Sequence, residues 1–157
     1  MAAPRDRPAV RAIVLDDDDR VLLLRIAAND DGLQLWLTPG GGRDPGESDD
    51  AALRRELFEE IGVEHPVIGP CVWTRENVFR WKGEWLRALE RFHVVRIHPN
   101  QLGRGAPEEH ELDAPRRWFS VDELRTLNEV FVPRDMPGLL ARLLQDGEPN
   151  VPIDAGD

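Results

Sequence analysis

The stretch from Gly41 to Val63, GGRDPGESDDAALRRELFEEIGV, joins a glycine-rich loop to a segment with helix signals at both ends. Ser48 stands where an N-cap side chain accepts a free backbone N–H. Asp49 and Asp50 follow in the turn where the helix dipole favours acids, and Gly62 supplies a C-terminal stop. Between these ends Ala51, Leu53, Leu57 and Ile61 recur at helical spacing, so one side of the helix is expected to pack on a core. Glu56, Glu59 and Glu60 lie three and four residues apart and share another face. Exposed like charges at this spacing repel by only about 0.2–0.5 kcal/mol, so repulsion alone does not distinguish a solvated face from a cation site. Arg55, four residues before Glu59, is placed to pair with it.

Outward from this helix, AVRAIVLD and RVLLLRIA read as two paired strands around a turn at the acidic quartet Asp16 to Asp19, whose spacing is not that of a calcium loop. QLWLTP reads as a short strand ended by Pro39 and Gly40. PVIGPCVWTREN, WLRALERFHVVRIH and RRWFS read as further strands. Ser120 and Glu123 form a capping box for a short helix, VDELRTL. A last helix is expected over MPGLLARLLQ, with Asp135 near its start and Gly147 past its end. The closing EPNVPIDAGD, residues 148–157, is expected to be disordered.

The 157 residues suit one domain, placed at residues 1–147. A net charge of -10 argues against a nucleic-acid partner, because phosphate backbones are held by clustered Lys and Arg. A phosphate-bearing substrate therefore needs local arginines or a metal ion. Cys71 is the only cysteine, so no intramolecular disulfide forms. No signal peptide or membrane span is evident, so a cytoplasmic location without a membrane partner is expected. The residues do not specify oligomeric state, and a homodimer is compatible with them.

The fixed points of the opening stretch are Gly41, Glu47, Arg55, Glu56, Leu57, Glu59, Glu60, Gly62 and Val63. Their spacing is that of the complete Nudix box, and the chain resembles the Nudix (MutT-like) hydrolase family. WLTPGGG before the box and RRWFSVDEL near the end also resemble it. The resemblance implies an α/β fold, an α/β/α sandwich with a mixed sheet between helices. It further implies water attack on a nucleoside diphosphate linked to another group, splitting a phosphoanhydride with Mg²⁺ or Mn²⁺. Glu56, Glu59 and Glu60 would bind the ions with the Gly41 carbonyl, which suits hard cations that take oxygen ligands. Arg55 would hold the glutamates and Glu47 would brace the loop or reach a metal through water. The general base stays open between Glu56, Glu59 and a glutamate of the later loop APEEHELD, namely Glu108, Glu109 or Glu111.

Arg25, Arg43, Phe79 and Trp81 are the candidate substrate-binding residues. Phe79 and Trp81 belong to a set with Trp73 and Trp85, interleaved with Arg75 and Arg80, that suits base stacking and phosphate contact. Core packing and strand-edge cover are the expected roles for at least two of the four aromatics. The proline and tyrosine that mark ADP-ribose and dinucleoside polyphosphate subclasses of the family are absent after the box. A small nucleotide, such as a nucleoside di- or triphosphate, is the expected substrate. Two alternatives are a nucleotide-sensing domain without catalysis and an enzyme acting on RNA 5′ ends. Cys71 is expected to be a small core residue and not a nucleophile.

Overall fold

The computed structural model describes residues 3–27, 33–103 and 116–157. Alternation along two central strands, β1 (Arg5–Leu15) and β2 (Val21–Ala27), sets the architecture. Val10, Ala12, Val14, Leu22 and Leu24 are buried in one apolar cluster, whereas Ile13, Leu15, Val21 and Leu23 are buried in another. Successive side chains of a strand point to opposite faces, so the sheet is covered on both sides. Helix α1 (Asp49–Ile61) supplies Ala52, Leu53, Leu57 and Ile61 to the first cluster. Helices α2 (Val121–Thr126) and α3 (Met136–Asp146) supply Leu124, Met136, Leu139, Leu140 and Leu143 to the second. This is the expected α/β/α sandwich.

The remaining strands are β3 (Gln34–Leu37), β4 (Gly40–Gly42), β5 (Cys71–Trp81), β6 (Glu84–Arg96), β7 (Arg116–Phe119), β8 (Phe131–Val132) and β9 (Ile153–Asp154). The described strands form one mixed sheet in the order β8-β3-β2-β1-β6-β5-β9, with β4 paired to β1 and β7 to β2. β1 lies parallel to β6, with Arg5 opposite Leu86 and Leu15 opposite Arg96. β5 and β6 form a long hairpin whose turn holds Lys82 and Gly83 at positive φ.

Local chemistry explains the boundaries. Ser48 Oγ accepts the Ala51 N–H at 3.1 Å and opens α1, and Gly62, at φ 69°, closes it. Ser120 and Glu123 cap α2 reciprocally, each bond at 3.1 Å. Asp16 is buried, and its carboxylate accepts the N–H groups of Asp18 and Arg20 and the Arg20 Nε, which fixes the β1–β2 turn.

Several expectations need correction. Ala51 is exposed and Ala52 takes its place in the apolar stripe, because the buried arc runs through Leu53, Leu57 and Ile61. Asp135 precedes α3 but makes no side-chain cap bond. The strand expected from Pro66 begins only at Cys71. The closing residues, expected to be disordered, instead carry β9, which pairs parallel to β5 with Ile153 opposite Trp73 and buries Ala155. The edge of β5 supplies partners that the short polar tail cannot supply for itself: the Ala155 N–H donates to the Thr74 carbonyl at 2.8 Å.

Deleting Ile153–Asp157 should therefore destabilise the protein by about 1–3 kcal/mol, lowering Tm by roughly 2–4 °C per kcal/mol for a chain of this size. A thermal melt unchanged from that of the full chain would show that β9 contributes nothing to stability.

Candidate active site

Glycine strand β4 pairs with β1, setting Gly42 opposite Ala9, Gly41 opposite Val10 and Gly40 opposite Arg11. The strand lies against the glutamate face of α1. A Cβ added at Gly41 would lie 2.6 Å from Glu56 Oε1, so the carboxylate rests on bare backbone. Glu60, only 8% exposed, accepts the Gly40 N–H at 3.1 Å.

Arg55 ties these parts together. Its Nε and Nη2 grip both oxygens of Glu47 at 2.9 Å each, its Nη1 reaches Glu56 at 3.0 Å and Glu59 at 3.3 Å, and Nη2 also donates to the Gly42 carbonyl at 3.1 Å. The expected pair with Glu59 is thus one contact of several. The guanidinium holds the Glu47 carboxyl down at about 2, chiefly through this hydrogen bonding, with help from the Asp44 N–H.

Glu60 is outside the reach of Arg55. Burial first, then the hydrogen bond and charge of Glu56, push its carboxyl up to about 9, and Arg11 pulls weakly the other way. Two carboxyls in contact cannot both ionise cheaply without a cation. Among the described residues, no three acidic, His or Cys side chains are already gathered around one point. The fit to a hard cation rests on the Glu56–Glu60 pair and on the all-oxygen donor set beside a bare glycine strand.

The other expected residues are dispersed. Arg43 pairs with Asp49 at 2.8 Å, and Asp49 also accepts from Arg91 at 3.0 Å. Arg25 is half-buried, its guanidinium 5.9 Å from the centre of the Trp36 ring, and its buried Nε has no acceptor among the described residues. Phe79 and Trp81 sit at the far end of the β5–β6 hairpin, opposite Leu86 and Glu84, with Trp81 and Trp85 exposed. Of the four aromatics Trp73 is fully buried, 5.7 Å from Phe92, and Phe79 is half-buried. Glu108, Glu109 and Glu111 lie outside the described residues. Cys71 is half-buried and burial raises its thiol, the opposite of an activated nucleophile.

Two residues near the site went unassigned in the sequence. Arg11 donates to the carbonyls of Thr38 and Gly40 at 3.2 Å each, and its Nε stands 3.9 Å from Glu90. Glu90 is buried and accepts from Arg75 at 3.0 Å. The signal for Arg11 was a charged residue inside the otherwise apolar run AVRAIVL. A cleft of about 580 Å³ opens beside the box, lined by Arg43, Asp49, Thr74, Glu76 and Arg91 among others, but by none of the three glutamates.

A glycine strand laid against paired helical glutamates, with an arginine tying loop and helix together, presents an all-oxygen donor set of the kind hard cations take. The NUDIX domain profile matches residues 5–141, and the chain belongs to the Nudix hydrolase family. It is 33% identical to an RNA pyrophosphohydrolase of Methylococcus capsulatus, covering 89% of this chain and 78% of that protein. It is 32% identical to a CTP pyrophosphohydrolase of Escherichia coli, covering 84% and 88%. Among solved structures, the E. coli ORF135 protein superposes with a TM-score of 0.59 at 27% identity over 91% of this chain and 94% of that one. A MutT protein from Methanosarcina mazei Go1 shares the fold, with a TM-score of 0.67 at 17% identity over 95% and 100%.

The raised Glu60 carboxyl has a consequence for the metal-free protein. The folded state holds this proton more tightly than the unfolded chain, so the contribution is fully present below the ordinary carboxylate range and is lost as pH rises toward about 9. In chelator, Tm should fall between pH 5 and 9, and Glu60→Gln should flatten that slope. An equal slope in the variant would assign the pH dependence to another group.

Proposed function

We propose that this protein is a Mg²⁺- or Mn²⁺-dependent pyrophosphohydrolase of small nucleotides, cleaving the phosphoanhydride of a nucleoside diphosphate linked to another group. The observation that carries this reading is the Glu56–Glu60 pair against Gly41, two carboxyls in contact beside bare glycine backbone, one held by Arg55 and the other buried. Glu56, Glu59 and Glu60 would hold the ion together with the Gly41 carbonyl. When bound, the ion neutralises phosphoryl charge and lowers the pKa of the attacking water.

The chain's own residues do the rest. Arg55 fixes Glu56 and Glu59, and Glu47 holds Arg55 from behind. Glu56 and Glu59 are the described candidates for taking the water's proton, beside the undescribed Glu108, Glu109 and Glu111. Arg25, whose guanidinium lies beside Trp36, stays a candidate substrate contact. Arg43 stands at the junction of loop and helix. Phe79 and Trp81 would meet only a substrate that reaches along the β5–β6 hairpin.

A second reading, removal of pyrophosphate from RNA 5′ ends, is favoured by the name of the Methylococcus relative. The net charge of -10 and the engagement of most arginines near the box by acids favour the small nucleotide. No helix among the described residues is long and apolar enough to cross a membrane.

The test is release of phosphate and pyrophosphate from nucleoside triphosphates, nucleotide sugars, ADP-ribose and triphosphorylated RNA, with Mg²⁺ and then Mn²⁺. Turnover of a nucleoside triphosphate should be metal-dependent and fall by about a hundredfold or more in Glu56→Gln and in Glu60→Gln. Turnover of RNA alone, weakening with salt, would move the assignment to RNA ends. Nucleotide binding without any turnover would leave a sensing domain.

A further inference from the structure

We propose that Arg7 is a substrate-binding residue that grips a phosphoryl oxygen of the bound nucleotide; this rests on the hydrolase reading above. Neighbouring residues of β4 face opposite sides of the sheet. Gly41 faces α1 and Glu56, whereas Gly42 faces the other way. There a Cβ would lie 2.7 Å from Arg7 Nη2 and 2.8 Å from Arg7 Nε. The guanidinium of Arg7 thus fills the space that a side chain at position 42 would take. Consecutive Cα atoms are about 3.8 Å apart, so this cation stands one residue along from the glycine against Glu56.

What distinguishes Arg7 from its neighbours is that it is not already used. Arg5 is paired with Glu84, Arg43 with Asp49, and Arg55 with Glu47, Glu56 and Glu59. Arg11 is spent on two backbone carbonyls and on Glu90. Arg7 is exposed and has no hydrogen bond or acidic partner among the described residues. It makes no hydrogen bond or ion pair with the box glutamates among the described residues, so it does not position them. A planar guanidinium with free N–H groups matches two oxygens of a phosphate. In a protein with a net charge of -10, such a cation on the reverse side of the glycine strand, one residue along from Gly41, answers the need for local attraction of an anion.

Binding of α,β-methylene nucleoside triphosphates to the full chain with Mg²⁺, measured by calorimetry, tests this apart from turnover. Arg7→Ala should weaken binding about tenfold, as loss of a charge-assisted contact does, and Arg7→Lys should recover only part because it lacks the fork. Gly42→Ala, which keeps Arg7 but fills its place, should weaken binding in the same direction. Mn²⁺ binding to the nucleotide-free protein and Tm should stay unchanged in all three, and KM should rise more than kcat falls. Analogue binding within twofold of the parent in Arg7→Ala overturns the proposal, as does parallel loss of Mn²⁺ binding. If Glu56→Gln still abolishes turnover in those cases, the hydrolase reading stands without Arg7. A parent protein that neither binds the analogues nor turns over any substrate overturns both.

Discussion

The guanidinium of Arg55 is the joint on which the site depends. It spans three pieces of chain at once: the loop through Glu47, the helix through Glu56 and Glu59, and the glycine strand through the Gly42 carbonyl. Its side chain is only 30% exposed, so these charge-assisted bonds are screened less than those of a surface pair. No other side chain could make this set of bonds. A lysine offers one point charge where a rigid fork is required. Removing the guanidinium would take away the charge that Glu47, Glu56 and Glu59 share.

The same network explains why Glu60 differs from its neighbours. Arg55 satisfies Glu47, Glu56 and Glu59, but Glu60 lies deeper, anchored by the Gly40 N–H and pressed against Glu56. The acidic face is thus divided into a part that Arg55 balances and a part that only the Gly40 N–H and the weaker pull of Arg11 offset. That division is structural before it is catalytic. It arises because α1 buries Leu57 and Ile61, which carries Glu60 inward between them, while Glu59 stays at the rim.

Features whose partners are close in sequence could be read from it. The α1 caps, the capping box of α2 and the turn at Asp16 each depend on residues within four positions of one another, and each forms as expected. The Nudix box was legible for the same reason, since loop and helix are contiguous. Contacts made through the sheet were not legible. Arg7 and Arg11 acquire their places only because β4 pairs with β1, a register that no local pattern announces. The C-terminal residues looked too polar and too rich in turn formers to fold, and alone they would not. They are ordered by the edge of β5, and the sequence does not say that this edge is available. The hairpin aromatics Trp81 and Trp85 are exposed, and their place at the far end of β5 and β6 follows from a hairpin register that local pattern does not state.

The parallel pairing of β1 with β6 has a further consequence during synthesis. Every residue of β1 pairs in the central sheet with a segment that leaves the ribosome long after it, Arg5 waiting for Leu86 and Leu15 for Arg96. Until then one edge of a strand whose second half is almost wholly apolar is unpaired, and closing so long a loop is an entropic cost that precedes the contacts it enables. The nascent chain therefore holds its future active-site loop beside an open, sticky edge. Folding of this protein should be limited by arrival of β6, and the interval before that arrival is when the chain is most exposed to aggregation.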